Sequence, residues 1–421
     1  MSGPAGIGPA PYGLAATRRG YHPRYRSGAY PRPVPFVLGG SLRWRGVRAH
    51  LPGAAAIAAV LAVIAIPLRG LYRATGASME EGFMLVFPNL VQQGKVANVD
   101  FLHLYGPASL DALAVWYRVF GDSLESQRTF GLLQHIGVVF GIYALCRVGG
   151  HVAAAGAAIV ATFLIVTPIG LSALAWHGAL ALGLWAVVFG LRARVTRSAG
   201  ELFVAGGLAG LALGFRPDLA VALALAVAWI VWGGGDSARA RLVWVMGGAA
   251  VGLLPMWVHF IRAGVGPALD GMLIDPVFRL RAGRSLPRPP SWGRVDGALQ
   301  AIAESLPPWW ELPALSASRQ LFLWFFAVTV ASVAVVWLAW RGYRRAPDES
   351  RPVHFVVVGA ALFGLGILPQ ALQRPDSTHL AWVAVVSWSV LVVVITLAIQ
   401  GRARQAGAAM SGLAATLVLG L

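Results

Sequence analysis

Apolar runs long enough to cross a bilayer recur along almost the whole chain, and no other feature narrows the fold so far. They cover residues 51–68, 128–146, 151–169, 172–191, 201–217, 218–233, 242–262, 319–340, 353–373 and 379–399. A last run of about 16 residues begins near Ala406 and reaches Leu421. A hydrocarbon core of about 30 Å takes roughly 20 helical residues. The expectation is an all-α polytopic membrane protein with about 11 transmembrane helices. Composition agrees, since only 12% of residues are charged against about 25% in soluble domains. The single cysteine, Cys146, lies inside an apolar run, which excludes an intrachain disulfide or a thiolate metal site.

The formal charge of +17 would point to nucleic acid in a soluble protein. Here the positive-inside rule accounts for it, and nucleic acid is not an expected partner. Residues 1–50 carry eight arginines and no acid among Gly, Pro and Tyr. Such a segment cannot bury a core and reads as a disordered cytoplasmic tail. It is too long for the n-region of a cleaved signal peptide. Its arginines either meet anionic lipid headgroups or simply fix topology. Residues 51–421 form the membrane domain.

Parity sets the orientation. The stretch 107–120 is short and holds Asp111 and Arg118; if it crossed, the basic loops near Arg192, Arg194, Arg197, Arg341 and Arg402 would lie outside. Laid flat on the outer surface, it puts 20 of 34 basic residues inside and 13 of 17 acids outside. The protein then sits in the plasma membrane with a first outer loop over 69–127 and a second over 263–318. In the first loop, 82–93 reads as a short interfacial helix, Gly94–Phe101 as extended or looped, and Pro107 and Gly121 as the start and stop of a second helix. The second loop is rich in Pro and Arg, which argues against a regular helix, and Pro307-Pro308-Trp309-Trp310 suits a membrane interface. It is expected to lie over the first.

The outer span ends collect a polar set: Glu80 and Glu81, then Asp100, His103 and Tyr105, then Trp176-His177, then Arg216-Pro217-Asp218, then Arg374-Pro375-Asp376 with His379. Each has a plain structural account. The two glutamates suit a helix N-terminus, and the Arg-Pro-Asp strips read equally as ion pairs at span boundaries. His135 and His259 stand singly on apolar helices and receive no role. Taken together, carboxylates that can deprotonate a hydroxyl and arginines whose fork suits phosphate describe a transferase using a lipid-phosphate donor.

Met79-Glu80-Glu81-Gly82, Gln93-Gly94, Asn98-Val99-Asp100-Phe101, Tyr105-Gly106-Pro107, Phe120-Gly121-Asp122-Ser123-Leu124 and Arg128 together resemble the first outer loop of the GT-C integral membrane glycosyltransferases. The similar branch includes the protein mannosyltransferases and the lipid A aminoarabinose transferases. Gly214-Phe215-Arg216-Pro217-Asp218 and Arg374-Pro375-Asp376-Ser377-Thr378-His379-Leu380 resemble family patterns at outer span ends. The resemblance implies a GT-C-like bundle with interfacial helices in the first outer loop. It implies a polyprenyl-phosphate sugar as donor and an extracytoplasmic hydroxyl on a glycan, lipid or protein as acceptor, with membrane lipids around both. Glu80 would be the general base, with Glu81 the second candidate. Asp100, His103 and Tyr105 would hold sugar or acceptor. Arg216, Arg374 and His379 would hold phosphate, with Asp218 and Asp376 beside them. His103 near the carboxylates permits a divalent ion, Mg or Mn, though no dense His/Asp spacing demands one; no other cofactor is implied. The chain departs from the family in carrying Glu80 where Asp is usual. Two other classes stay open at this point, a lipid or glycolipid transporter or flippase and a non-catalytic envelope assembly protein.

Overall fold

The computed structural model describes residues 47–74, 78–166, 169–232, 235–280, 286–294 and 315–400. The tail up to residue 46, the Pro307–Trp310 strip and the run from Ala406 lie outside them. The described residues are helical apart from loops and one isolated bridge, Ala97–Phe101.

The first span is α1 (Val47–Ala65) followed by α2 (Leu68–Arg73), broken at Ile66-Pro67. Next come α3 (Ser78–Gln92) and α4 (Ala108–Phe120), then α5 (Leu124–Cys146), α6 (His151–Ile165), α7 (Ala175–Thr196), α8 (Ala199–Phe215), α9 (Ala220–Val231), α10 (Gly235–Gly252) and α11 (Leu254–Ala263). After α12 (Val265–Leu269) and a π-helix (Asp270–Arg279) the bundle closes with α13 (Ala317–Arg345), α14 (Arg351–Gly366), α15 (Leu368–Gln373) and α16 (Ser377–Gln400). Among the described residues six helices are long and apolar enough to cross a membrane, and α10–α11 adds a pair bent by 48°. Three further apolar helices are shorter. The expected runs are thus all present as helices where described, but several are too short or too broken to count as full spans, so the figure of 11 is not reproduced.

Small residues set the closeness of packing. In α8 and α10, Gly206 and Gly210 pack on the α10 backbone at Val245 and Ala249, and Gly248 and Gly252 pack on the α8 backbone at Phe203 and Gly207. A Cβ at Gly248 would lie 2.0 Å from the Phe203 carbonyl oxygen, so backbone meets backbone as in small-residue membrane interfaces. The first span is the exception, with only 6% of its apolar stretch buried, against 56% for α5.

Helices α3 and α4 are both too short to span. α4 starts after Pro107 and stops at Gly121, whose φ of 81° suits glycine. α3 begins at Ser78, four residues before the expected 82, so Glu80 and Glu81 occupy its first turn. Pro88 inside α3 cannot donate to the Met84 carbonyl; the Tyr117 hydroxyl of α4 donates to that oxygen instead, at 2.8 Å. Gln92 Nε2 donates to Ala114 O at 2.7 Å, and the two helices form one platform.

The segment after α11 corrects one expectation. Its first residues are helical, through α12 and the π-helix, despite Pro267 and Pro276. Pro267 sits in a first turn, where its missing N–H is no loss, and the wide π-turns absorb Pro276 at the cost of one bond. This part lies against the loop that follows α3. Gly271 packs on Asn98, and Arg262 Nη2 donates to Gly94 O at 3.3 Å. His259 is not idle, since its Nε2 lies 3.1 Å from Asn98 Oδ1.

Candidate functional site

The acidic pair divides in two. Glu81 is buried and takes a two-point grip from Arg128 of α5, Nε to Oε1 at 2.7 Å and Nη2 to Oε2 at 2.9 Å. Arg128 Nη1 also donates to the Tyr72 carbonyl of α2 at 2.5 Å. One guanidinium therefore ties the first span, α3 and α5 together. Two-point arginine–carboxylate geometry is strong and directional, and it commits Glu81 to Arg128. Glu80, the next residue around the helix, is half-buried and has no ion-pair partner among the described residues.

The loop after α3 is built on Asn98. Its φ of 66° is one that asparagine tolerates better than most residues. Its Nδ2 donates to the His103 carbonyl at 2.6 Å, which leaves Oδ1 to accept from His259. Asp100 is spent locally, since Oδ2 accepts from Val96 N at 2.7 Å and the side chain stays partly exposed near Lys95. His103 is buried between Phe87 and Tyr105, with ring centroids 6.2 and 5.7 Å away. The Tyr105 ring lies under Arg216, 4.3 Å from centroid to guanidinium carbon. Gly106 N donates to Phe215 O at 3.0 Å, and a Cβ at Gly106 would sit 2.0 Å from Gly214 O. Gly106→Ala must push this loop off α8. A loss of about 1–3 kcal/mol is expected, read as a lower melting temperature in detergent.

Burial holds the His103 imidazole down to about 4, the Gly106 carbonyl opposes this, and His259 and Arg216 add to the lowering. Above pH about 6.5 both folded and unfolded forms are neutral and His103 contributes no pH dependence. As pH falls from there towards 4, only the unfolded chain gains the proton, and up to about 3 kcal/mol of stability is lost. His103→Phe should flatten the fall in melting temperature between pH 7 and 5; an unchanged slope would count against this placement.

The two Arg-Pro-Asp strips fold alike. Arg216 has φ −143° and ψ 100°, and Arg374 has φ −143° and ψ 85°. Each arginine reaches the aspartate two residues on. Arg216 meets Asp218 at 3.1 and 2.5 Å, and Arg374 Nε lies 2.8 Å from Asp376 Oδ2. Asp376 is buried and also accepts from His379 N and Nδ1, both at 2.8 Å. Burial works to raise the Asp376 carboxyl, but His379 and Arg374 outweigh it and hold the group below the usual carboxylate range. Gln370 joins the turns, its side chain hydrogen-bonding to Asp218 and Arg216 and its carbonyl accepting from Arg374 N at 3.3 Å. Trp176 lies 5.5 Å from the Arg216 guanidinium and 5.7 Å from Trp382, which lies 5.1 Å from His379.

Four stretches far apart in sequence thus form one contiguous layer, His103–Tyr105–Arg216–Trp176–Trp382–His379–Asp376–Arg374. The boundary ion pairs and the polar cluster expected from the sequence are the same atoms. Asp100 stands aside, and Glu81 belongs to the Arg128 knot. Arg128 had no assigned role beyond its place in a motif. Gln370 and Trp382 carry no sequence signal, since a glutamine and a tryptophan at a span end are unremarkable until their neighbours are known. Among the described residues no three His, Cys, Asp or Glu side chains come together to hold a metal ion. Glu81 is already engaged by Arg128 and Asp376 by Arg374 and His379, so the residues present do not fit a divalent site and no step below is routed through one.

No family model and no curated protein matches the sequence. Among solved structures the chain is similar to ArnT from Cupriavidus metallidurans bound to undecaprenyl phosphate, with 12% identity, a TM-score of 0.52 and 89% of this chain covered. It spans 63% of that chain, under two thirds of its length. It is also similar to the archaeal oligosaccharyltransferase AglB from Archaeoglobus fulgidus in complex with an inhibitory peptide and a dolichol-phosphate, with 12% identity, a TM-score of 0.47, and 90% of this chain and 55% of that one covered. The likeness to ArnT is one of fold: this chain has a helical, multi-pass membrane fold similar to that of ArnT.

Proposed function

We propose that this chain is a glycosyltransferase of the plasma membrane that moves a sugar from a polyprenyl-phosphate donor to a hydroxyl on a glycan, lipid or protein outside the cell. The observation that carries the reading is the layer joining Arg216, Arg374 and His379 through Trp176 and Trp382. It puts cations that suit a phosphate beside aromatic faces that suit a sugar, at the span ends next to the acidic platform. The fold it shares with a protein that binds undecaprenyl phosphate supports the choice of donor. The basic bias of the loops supports a cytoplasmic N-terminus and a site on the outer face.

Glu80 is the general base, because Arg128 holds Glu81. The acceptor oxygen attacks the anomeric carbon, its proton passes to Glu80, and the bond from that carbon to the phosphate oxygen breaks. Polyprenyl phosphate leaves and the anomeric centre inverts. Arg216, Arg374 and His379 meet the charge of the leaving phosphate, exchanging part of their contact with Asp218 and Asp376 for it. His103 and Tyr105 line the sugar or acceptor side.

Liposomes holding the protein, a polyprenyl-phosphate sugar and a hydroxyl acceptor should release free polyprenyl phosphate in step with glycosylated acceptor. Passage of the intact donor across the bilayer with no release would overturn the proposal.

A further inference from the structure

The end of α7 carries two arginines in unlike company. Arg192 is paired with Glu201, Nε to Oε1 at 2.9 Å. Arg194 is part-buried, its guanidinium carbon 5.3 Å from the Phe355 ring centroid. It makes no hydrogen bond or ion pair among the described residues. The charge that bears on it is a second cation, Arg241 of α10. Arg241 is held at the end of α9, its Nη2 donating to Val231 O at 2.9 Å and Trp232 O at 3.4 Å, which leaves Nη1 unused. Tyr343 of α13 also acts on Arg194. Its ring lies 5.4 Å from Trp229, which stacks on Phe355, and its hydroxyl makes no hydrogen bond among the described residues. The carboxylates of Glu201 and Asp348 are engaged elsewhere, by Arg192 and Arg351.

Two guanidiniums drawn together with no carboxylate between them repel, and part-buried donors left unused are costly. An anion between them removes both penalties, and the planar fork of arginine suits phosphate oxygens. We infer that Arg194, Arg241 and Tyr343 form a binding site for the phosphate of an anionic lipid headgroup. Place decides for lipid. Arg194 lies about 27 Å along α7 from Trp176, close to the thickness of a hydrocarbon core, so the site belongs to the end of the bundle opposite the Arg216–Arg374 layer. Exposed tryptophans stand beside it, Trp232 just after α9 and Trp340 stacked on Tyr343, and such residues suit the headgroup level of a bilayer. The site does not depend on sugar transfer.

The test places the full chain in nanodiscs with photoactivatable phosphatidylglycerol, whose headgroup is anionic, or photoactivatable phosphatidylcholine, whose phosphate is balanced by a choline cation. Phosphatidylglycerol should label the ends of α7 and α13 and bind about tenfold more tightly than phosphatidylcholine, the effect of one charge-assisted hydrogen bond. Arg194→Gln or Arg241→Gln should remove most of that preference. Arg197→Gln, which removes an exposed charge at the same end, should keep it. Equal binding of the two lipids to the unaltered chain would overturn the proposal without needing any variant to fold. So would label away from these helix ends, displacement of the lipid by millimolar inorganic phosphate, or an equal loss in Arg197→Gln, the mark of a diffuse basic surface.

Discussion

Glu80→Gln should lower sugar transfer by about 10²–10⁴-fold, the range lost with a general base, and leave thermal unfolding nearly unchanged. The two adjacent carboxylates stand in different situations. Glu81 lies in a two-point pair with Arg128 and serves as a structural tie. Glu80 is half-buried in the same helical turn, with no cation against it among the described residues. Amide replaces carboxylate at nearly equal volume, so packing survives while basicity is lost. Glu81→Gln should do the opposite, lowering stability first. Normal turnover in purified Glu80→Gln would end the base assignment.

Arg128→Ala should be the most destabilising change near the site. It strands a buried carboxylate, and breaking a buried pair from one side costs about 3–5 kcal/mol. It also leaves the Tyr72 carbonyl without its donor, at the break in the first span. Loss of transfer should accompany the fall in melting temperature, because α3 and Glu80 lose their anchor. Removing both charges tests the cause. Arg128→Met combined with Glu81→Leu should recover most of the stability, since a well-packed apolar pair replaces a buried ion pair at little cost. If the double variant melts as low as Arg128→Ala, stranded charge is not the reason.

What the sequence made legible follows from the range of the forces involved. Hydropathy is summed along one segment, so the spans could be read without a partner in view. Pro107 and Gly121 bound α4 because their effects on the backbone are their own. The start of α3 is harder to place, since acids are favoured both just before a helix and within its first turn, and Glu80 and Glu81 occupy the first turn. The choice between them was beyond reach, because it depends on Arg128, 47 residues away along the chain. Gln370 and Asp218 are 152 residues apart, and nothing local to either announces the other. After α11 the helix runs on through Pro267 and Pro276, because a π-helix accommodates proline where an α-helix would not, while the Pro-rich strip at 287–290 is non-helical.

The twin Arg-Pro-Asp turns have a consequence in the language of linkage. Gln370 is a shared ligand, its side chain given to the Arg216–Asp218 pair and its backbone to Arg374. An anion that draws Arg216 from Asp218 releases one end of that bridge and so alters the cost of drawing Arg374 from Asp376. Whatever one arginine does to the other's affinity, the second does equally to the first. The two cations are not independent contacts for one charge but a coupled pair, and a Gln370 variant measures the coupling through the departure of the Arg216 and Arg374 effects from additivity.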